Sequence, residues 1–493
     1  MKTAAQILVD CLVVNGCDRV YGVPGESYLS VLDALFGRED IHYLNFRQEG
    51  GAAMAAEAYG KLTGRPGICM VTRGPGATNA SAGVHVAFQD STPMILLIGQ
   101  VGRNMLEREA FQEIDYRRMF GQMAKWVAQI DDPARIPEFI NRAYATATSG
   151  RPGPVVLALP EDMLRTCIDS FQLPAPAKTV VPAPSIQDMG DLANALSTSS
   201  KPLLLIGGSG WSSATSEQIK TFSEANQIPV AVSFRCQDYL DNEHPHYIGH
   251  VGIGIDPNLA RRVKQCDLLL VLGPRLGEMT TSGYNLLHPP QTEMPLIHIH
   301  AAAEELGRVY HPTLAINAGA AKAAAGLAGL GTVPRQVDPD WLIDARTDFE
   351  DYRRGQASPG AVQLRDIVQS LRKTLADDAI ITNGAGNYAI WLHRFFSYRH
   401  YRTQLAPTCG SMGYGLPAAV AAAELYPHRQ VVCFAGDGCF MMSCQEFSTA
   451  VQYGLKLVVI LINNGMYGTI RMHQERQYPS RVLGTDLINP DFA

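Results

Sequence analysis

Residues 430–468 read QVVCFAGDGCFMMSCQEFSTAVQYGLKLVVILINNGMYG, and this stretch decides the fold. It predicts an apolar strand that runs into Gly436-Asp437-Gly438, where the two glycines permit a tight turn and close approach of the backbone to a ligand. Ser443 and Glu446 have the spacing of a capping box, which predicts a helix, and Gly454 is placed to end that helix. A second apolar strand follows, so the stretch is predicted to be a βαβ unit.

Polar groups stand at the end of both predicted strands. Asp437 follows the first strand and Asn464 follows the second. If the strands are parallel and adjacent, their carboxyl ends lie about 5 Å apart, at the edge where α/β sheets bind ligands. The two side chains then offer hard oxygen ligands to Mg²⁺, which takes its other ligands from water and phosphate. A Gly-Asp-Gly turn alone is common in loops without metal, but its pairing with Asn-Asn-Gly predicts a metal-bridged diphosphate.

Apolar, β-branched runs alternate with helical patterns along most of the chain. This alternation is typical of parallel α/β sheets, so the predicted fold class is α/β with doubly wound parallel sheets. The runs that predict strands are 66–72, 93–99, 154–160, 201–208, 266–273, 379–386, 430–438 and 455–464.

Two stretches interrupt this alternation. Residues 172–185, QLPAPAKTVVPAPS, are typical of an extended linker, and residues 331–360 are punctuated by Pro and Gly around a short helical piece. The last residues, DLINPDFA, contain no helix stop or polar tail, so we expect a complete fold to continue beyond them. Three α/β domains are expected, at residues 1–170, 186–332 and 358–493.

Composition excludes several classes of protein. A net charge of -6 over 493 residues gives no electrostatic reason to expect a nucleic acid or an anionic membrane as partner. No signal-peptide pattern and no run of about 18 apolar residues is present. The ten cysteines are scattered without paired spacing, which predicts neither disulfides nor a zinc site. We expect a cytoplasmic protein that acts on small molecules.

The Gly-Asp-Gly turn, answered after a βαβ unit by Asn-Asn, resembles the fingerprint of thiamine-diphosphate-dependent enzymes. The resemblance implies a thiamine diphosphate and Mg²⁺ site. On this resemblance Asp437, Asn464 and the Met466 carbonyl hold the Mg²⁺, and Gly436 and Gly438 let the diphosphate approach.

The family also needs a carboxylate against the aminopyrimidine ring of the cofactor. Residues 45–67, NFRQEGGAAMAAEAYGKLTGRPG, resemble the segment that supplies it, with Glu49 as the carboxylate. Such a group, shut off from water, has a raised pKa and shares a proton with a ring nitrogen. An ordinary Glu at a helix start is the structural alternative. Residues 406–419 resemble the segment that bends the cofactor, with Met412 as the wedge and the Gly410 carbonyl as the partner of the amine.

Across essentially the whole chain, the resemblance is nearest to the catalytic subunits of acetolactate (acetohydroxyacid) synthases. It implies three doubly wound domains, named pyrimidine-binding, middle and diphosphate-binding. Phe111 and Gln112 match the family's Phe-Gln-Glu segment at the active site, and Lys125 is a further candidate. Arg275 matches the Arg that meets the second keto acid.

Three departures change the expected substrate wall. The family's Pro-Gly-Gly is here Pro24-Gly25-Glu26, which sets a carboxylate near the reaction centre. The Trp that sets acceptor preference falls at His473, and a Met of the middle domain is replaced around His250 and Val251. The identity of the substrate is therefore left open.

Flavin and a second metal are further alternatives. Residues 206–213, IGGSGWSS, resemble half of a dinucleotide turn, so FAD is an open alternative to a structural tight turn. His298 and His300 share a strand face and could bind a metal, although a third ligand is missing nearby. Arg471, His473 and Arg476 fit either a solvated helix face or a substrate contact.

The leading functional prediction is a carboligase. It decarboxylates a 2-keto acid such as pyruvate and adds the carbanion to a second carbonyl. The alternative is a lyase, decarboxylase or diketone hydrolase with the same cofactor, acting on 2-hydroxy ketones, acyl-CoAs or 2-keto acids. A non-catalytic relative would lack Glu49 or Asp437, and both are present. The family implies a homodimer or homotetramer with shared sites.

Overall fold

The computed structural model describes residues 1–355 and 357–493. Its contacts divide the chain into two compact units. The first unit contains residues 1–180, 382–385 and 409–493, and the second contains residues 181–381 and 386–408.

The first unit begins with a parallel sheet whose central strands are buried on both faces. Burial of both faces explains why these strands read as continuous apolar runs. Within the described residues the sheet has the order β3-β2-β4-β5-β7-β6, and β1 pairs antiparallel with β8. The strands are β1 Lys2–Thr3, β2 Arg19–Gly22, β3 His42–Asn45, β4 Gly67–Val71, β5 Met94–Gln100, β6 Trp126–Gln129, β7 Pro154–Pro160 and β8 Cys167–Ile168.

Helices cover this sheet. Small residues let helix α3, Glu49–Thr63, lie very close to helix α4, Pro75–Asp90, and to strand β4. A Cβ on Gly83 of α4 would lie 2.4 Å from the Cβ of Ala53 in α3. A Cβ on Gly67 would lie 1.8 Å from the Ala56 carbonyl oxygen. The Ala- and Gly-rich sequence of α3 is therefore a packing requirement. The helices are α1 Ala4–Val14, α2 Leu29–Leu35, α3 Glu49–Thr63, α4 Pro75–Asp90, α5 Tyr116–Phe120, α6 Ile136–Thr148 and α7 Glu161–Leu164.

The second unit contains another parallel sheet, with the order β11-β10-β9-β12-β13-β14 in the described part of the chain. This is the strand order of a doubly wound dinucleotide-binding fold. Its strands are β9 Pro202–Ile206, β10 Val230–Val232, β11 Tyr247–His250, β12 Leu268–Leu272, β13 Leu296–His300 and β14 Leu314–Asn317. Its helices up to residue 355 are α8 Ile186–Ser197, α9 Ser213–Asn226, α10 Pro257–Gln265, α11 Ala320–Gly329 and α12 Trp341–Arg354.

The two predicted interruptions have different structures. Residues 172–185 contain no helix or strand, as predicted for a linker, and Ser185 then caps α8 with a capping box. The helical piece within 331–360 is α12, which belongs to the core of the second unit because Trp341 is buried and its Nε1 donates to the Pro202 carbonyl at 2.9 Å. The proposed limits of the three domains stay a prediction. Gln356 lies outside the described residues.

The remaining elements lead to the βαβ unit. They are α13 Leu364–Thr374, β15 Ile380–Asn383, α14 Asn387–Phe395, β16 Gln404–Leu405, α15 Gly415–Leu425, β17 Val431–Gly436, α16 Asp437–Met441, α17 Glu446–Gln452, β18 Val458–Ile462 and α18 Gly468–Gln477. Strands β17 and β18 are parallel neighbours, with Val432 opposite Val458 and Gly436 opposite Ile462. All eight predicted apolar runs contain a strand, so the α/β fold class is confirmed.

The predicted capping box at Ser443 and Glu446 is wrong. The α17 helix begins at Glu446 itself, and no side-chain hydrogen bond caps it. Ser443 instead donates through Oγ to the Gly413 carbonyl at 2.6 Å, and the Glu446 carboxylate accepts from another part of the first unit. The prediction for Gly454 is confirmed, because it follows the end of α17 with a φ of +60°.

No helix in the described part of the chain is long and apolar enough to cross a membrane.

Candidate active site

Asp437 is the first residue after β17, and its side chain is only 2% exposed. Its Oδ2 accepts from the Gly465 backbone N–H at 3.0 Å and from the Asn489 amide at 2.7 Å. The parallel register of β17 and β18 explains the first contact, because it sets the residues that follow the two strands side by side. The sequence prediction that the Gly-Asp-Gly and Asn-Asn-Gly turns meet at one sheet edge is therefore confirmed.

Oxygen donors of the kind that Mg²⁺ prefers lie on these two turns. Asn464 is exposed after β18, with its Oδ1 accepting from the Met466 backbone N–H at 3.2 Å. The Met466 carbonyl accepts from the Gly468 N–H at 3.0 Å. With the Asp437 carboxylate, the turns supply a carboxylate, an amide oxygen and a backbone carbonyl, so the residues present fit a hard cation.

The structure gives Gly438 a neighbour within the chain. A Cβ on Gly438 would lie 2.6 Å from Cε1 of the Tyr467 ring and 3.4 Å from the Leu487 side chain. Packing against Tyr467 therefore favours a glycine at residue 438, independently of any approach by a diphosphate. Gly436 has an ordinary extended backbone, with a φ of -78°, and its role beside a diphosphate stays a prediction.

The segment with Gly410 and Met412 lies against the chain that follows Asp437. Gly413 donates through its N–H to the Cys439 sulfur at 3.2 Å, and its carbonyl accepts from Ser443. Gly410 is exposed with a φ of +70°, and Met412 is half-buried. The structure thus brings this segment beside the Asp437 turn, as the resemblance implies.

Glu49 is the first residue of α3 and is half-buried. Its Oε2 accepts from the Asn79 amide at 2.9 Å, and its Oε1 lies 3.4 Å from the position that a Cβ on Gly76 would take. Burial, followed by the Glu49 charge, raises the pKa of the nearby Cys69 thiol. The carboxylate is therefore held by α4 and stands beside the carboxyl end of β4.

The departure at Pro24-Gly25-Glu26 lies at the same edge. A Cβ on Gly25 would lie 2.4 Å from the Thr72 Cβ, and Ser27 Oγ lies 2.8 Å from Thr72 Oγ1. The two loops follow β2 and β4, where the chain turns to opposite sides of the sheet, and ligands bind at such switch points. Glu26 is exposed there.

Phe111 and Gln112 lie beside the loop that follows β4. The Phe111 carbonyl accepts from Arg73 Nε at 3.1 Å, and the Phe111 ring is 70% exposed. A Cβ on Gly74 would lie 2.7 Å from the Gln112 Cβ, and Gln112 has a φ of +65°. Both residues are thus brought to the edge of the sheet that carries Glu49.

Lys125 is not brought to this edge. It precedes β6, and its backbone N–H donates to the Pro154 carbonyl at the beginning of the parallel strand β7. Its Nζ donates to the Ser149 carbonyl at 2.6 Å. Lys125 therefore stands at the amino end of the sheet, and a substrate contact within the same sheet edge is not supported.

Arg275 has a partner in the second unit. Its Nε lies 3.4 Å from the buried Glu305 carboxylate, which also binds Arg308 at 3.0 Å. Glu305 lies against one of the five N–H donors of this guanidinium. His473 is exposed on α18 in the first unit, near the Arg471–Asp486 ion pair of 3.1 Å.

The turn with residues 206–213 packs closely against the turn that contains Gly273. A Cβ on Gly208 would lie 2.0 Å from the Gly273 carbonyl oxygen, and a Cβ on Gly273 would lie 2.3 Å from the Gly207 oxygen. Trp211 Nε1 donates to Gly207 at 2.7 Å, and Tyr239 donates to Gly208 at 2.5 Å. The glycines thus join two protein turns at the switch point between β9 and β12. A structural tight turn explains Gly208 and Gly273, and FAD binding stays a prediction.

His298 and His300 are both buried on β13. His298 Nε2 lies 3.1 Å from the Pro274 carbonyl, and His300 Nδ1 lies 3.2 Å from the Ala302 carbonyl. The described residues contain no group of three or more His, Cys, Asp or Glu that could hold a metal. The strand-end interpretation of these histidines therefore holds.

The sequence analysis did not identify Asn489 or Asn79, and it did not identify the contacts that Glu446 makes with Arg47 and Gln48. Asn489 reaches Asp437 across 52 positions of sequence, and no spacing rule links the two. Asn79 could have been found, because residues 76–79 fall on a helix that follows β4. The spacing of Ser443 and Glu446 matches a capping box, and this local pattern does not indicate the contacts of Glu446 with Arg47 and Gln48.

Three family descriptions match the chain. They are the N-terminal TPP binding domain of thiamine pyrophosphate enzymes at residues 2–119, the central domain at residues 189–327, and the C-terminal TPP binding domain at residues 384–493.

Curated relatives match over the full chain. The acetolactate synthase large subunit of Corynebacterium glutamicum is 30% identical over 100% of this chain and 80% of its own length. The probable acetolactate synthase large subunit of Methanocaldococcus jannaschii is 31% identical, over 99% of this chain and 85% of its own. The mitochondrial acetolactate synthase catalytic subunit of Saccharomyces cerevisiae is 28% identical, over 99% and 75%.

Proposed function

Because this chain belongs to the thiamine pyrophosphate (thiamine diphosphate) enzyme family, we propose that it is a carboligase. It decarboxylates a 2-keto acid such as pyruvate and adds the resulting carbanion to a second carbonyl. The names of its relatives favour this reaction over the lyase, decarboxylase and hydrolase alternatives. The observation that carries the proposal is the junction of Asp437 with the turn after β18, at one edge of a parallel sheet.

Each candidate residue has a distinct task. Asp437, the Asn464 amide and the Met466 carbonyl would hold Mg²⁺, and the cation would neutralise negative charge of the diphosphate. Bound thiamine diphosphate supplies an electron sink for the carbanion that decarboxylation leaves. Gly410 and Met412 shape the space beside the Asp437 turn.

Glu49 would share a proton with a ring nitrogen of the bound cofactor. The Asn79 amide donates to Oε2 of the carboxylate, and Oε1 lies beside Gly76 at the beginning of α4. Because the side chain is half-buried in the single chain, a partner subunit completes its exclusion from water. We therefore infer a homodimer, or a tetramer made of such dimers, in which the sites are shared.

In the proposed acceptor site, Arg275 already has one carboxylate partner, Glu305, which lies 3.4 Å from its Nε. Because a guanidinium has five N–H donors, the carboxylate of the second keto acid binds Arg275 at the Nη groups while Glu305 stays at Nε. Phe111, Gln112 and His473, which belong to the first unit, are proposed as further substrate contacts. Lys125 is not among them.

We propose FAD only as an open alternative for the second unit. Gly208 packs against the Gly273 turn, whereas an added Cβ on Gly210 of the same turn would have nothing within 4 Å. The test is the visible absorbance of the purified, unsupplemented protein and of its denatured supernatant. A stoichiometric flavin band would establish FAD, and its absence would leave the tight turn as a structural feature.

A cytoplasmic location is also proposed. All ten cysteines are free, and several are buried, which suits a reducing compartment. Fractionation of the producing cells, with a periplasmic or secreted marker as control, tests it.

One assay decides the reaction. The full chain is incubated with thiamine diphosphate, Mg²⁺ and a panel of 2-keto acids and acyloins, and the products are identified by mass spectrometry. The carboligase produces a 2-hydroxy-2-methyl-3-keto acid from pyruvate, with loss of one CO₂ for each two substrate molecules. Formation of an aldehyde alone, or cleavage of an added acyloin, would contradict the proposal.

A further inference from the structure

The Glu446 carboxylate is fully buried at the beginning of α17. Its Oε1 accepts from the Gln48 backbone N–H at 3.1 Å, and its Oε2 accepts from the Arg47 backbone N–H at 3.2 Å. Thr449 Oγ1 completes the set with a 2.7 Å hydrogen bond to Oε2. Both oxygens of the Glu446 side chain therefore accept hydrogen bonds from the backbone directly before Glu49.

The accepted N–H groups stand where α3 begins. Gln48 is the N-cap of α3, and its side chain accepts from the Gly51 N–H at 3.0 Å. The first N–H groups of a helix have no partner within the helix, so side chains from elsewhere can hold them in place. Glu446 and Gln48 together fix the first turn of α3, in which Glu49 is the first residue.

The carboxylate fits this position closely. A Cβ on Gly51 would lie 2.6 Å from Glu446 Oε1, so a side chain at residue 51 would push the carboxylate away. Tyr453, at the other end of α17, accepts through its hydroxyl oxygen from the Asn45 backbone N–H at 2.6 Å. Thus α17 contacts the segment that leads from β3 into α3 at two separate points.

An amide could not replace the carboxylate without loss. A glutamine at 446 presents one oxygen and one NH₂ group, and the NH₂ group would face a backbone N–H. Burial raises the pKa of Glu446, while the hydrogen bonds from Thr449, Arg47 and Gln48 lower it. A shorter or neutral side chain would leave one of the two backbone N–H groups without its acceptor.

We propose that Glu446 is a positioning residue for Glu49. By accepting from Arg47 and Gln48 it fixes the direction in which the first turn of α3 presents the Glu49 carboxylate to the cofactor ring. The inference rests on the proposed role of Glu49 and adds a residue from the diphosphate-binding part of the chain. It requires no contact between Glu446 and the cofactor.

The experiment compares three full-length variants with the parent. Glu446→Gln removes one acceptor, Gly51→Ala displaces the carboxylate while keeping a helical residue, and Glu138→Gln makes the same chemical change on the exposed α6 surface as a control. The measured rate is the hydrogen–deuterium exchange of the thiazolium carbon of bound thiamine diphosphate, followed by NMR. Cofactor dissociation constants and kcat are measured in parallel.

We expect Glu446→Gln and Gly51→Ala to slow this exchange on the order of 10-fold to 100-fold, the scale of a displaced catalytic group. Cofactor affinity should stay near that of the parent, because the Asp437 turn is intact, and Glu138→Gln should match the parent throughout. Parent-like exchange in folded, cofactor-loaded Glu446→Gln and Gly51→Ala would overturn the proposal, even if their melting temperatures fall.

If Glu446→Gln does not fold, Gly51→Ala decides alone by the same criterion. A parent protein that fails to bind thiamine diphosphate would overturn the proposed function itself, and the inference with it. The two failures are therefore distinguishable.

Discussion

The carboxylates of Glu49 and Asp437 have different surroundings in the first unit. Asp437 is almost fully buried and accepts from two N–H donors that belong to the turn after β18 and to Asn489. Glu49 is half-buried and has one donor, Asn79. The first arrangement suits a fixed metal ligand, and the second leaves an oxygen for proton exchange.

Substitution of these two residues should therefore separate binding from turnover. Glu49→Gln should keep cofactor binding and lower kcat by roughly 10²-fold or more, the scale of lost acid-base assistance. Asp437→Ala should instead weaken retention of Mg²⁺ and the diphosphate. The measurements are kcat and the cofactor dissociation constant. Slight and equal effects of both substitutions would contradict the assignment of the cofactor site.

His473 carries the prediction on acceptor preference. An imidazole gives less apolar contact than the indole that the resemblance expects there, so the native protein should prefer 2-ketobutyrate over pyruvate only weakly. His473→Trp should raise that preference by about 1 to 3 kcal/mol, the scale of one methylene in a pocket. A competition assay with both acceptors measures it. Strong native preference, unchanged by the substitution, would show that residue 473 does not face the acceptor.

Acid stability of the second unit should depend on His250. Burial lowers the pKa of His250 from 6.5 to about 4. The unfolded chain therefore binds a proton here between pH 6.5 and 4 that the folded chain does not, so the free energy of unfolding falls as the pH falls through this window. Between pH 7 and pH 5, the free energy of unfolding of His250→Phe should therefore fall by about 2 kcal/mol less than that of the parent.

Urea unfolding at the two pH values measures this difference. Burial raises the pKa of Asp238 to about 6, which has the opposite sign, but Asp238 is present in both proteins and cancels. Equal losses in parent and variant would show that His250 is not protonated on unfolding in this range.

At the scale of elements, the strands could be predicted from the sequence, but the capping of helix α17 could not. Runs such as 93–99 and 154–160 are apolar without interruption, because both faces of β5 and β7 are buried, and this leaves a clear signal in the sequence. The partners of Glu446 lie 398 and 399 positions away, so a local rule assigned it to its own helix. Likewise, Lys125 matched a motif, yet only the strand register shows which sheet edge it occupies.

The turn between β9 and α9 gives a sharp test of packing. Gly208 has a φ of +73°, and a Cβ there would meet the Gly273 carbonyl at 2.0 Å, whereas Gly210 has a φ of +81° with nothing within 4 Å. Both alanine variants pay backbone strain of about 1 kcal/mol or more, but only Gly208→Ala adds a clash. We expect Gly208→Ala to be clearly less stable than Gly210→Ala in thermal unfolding. Equal stability would show that the two turns can separate.

At the scale of the whole molecule, one chain contains both halves of the proposed chemistry. Glu49 stands at the sheet of β2 and β4, and Asp437 stands at the sheet of β17 and β18. Within the first unit, α3 packs against α15, and Glu446 joins α17 to the beginning of α3. The sequence could not predict this internal junction, because it depends on side chains from two distant segments. The sharing of each site between two chains could be predicted from the sequence only because the family resemblance implies it.

Complementation between inactive chains tests that sharing directly. If each site takes Glu49 from one chain and Asp437 from its partner, a mixed dimer of Glu49→Gln and Asp437→Ala chains has one site with both residues intact and one with neither. Random exchange of equal amounts makes half of the dimers mixed, so the mixture should recover about a quarter of the parent activity, since a two-fold dimer has two equivalent sites. Activity of the mixture is measured after reversible dissociation, with each variant alone as control. Sites built within single chains would leave every site damaged, so a mixture no more active than its components would overturn the shared-site assembly.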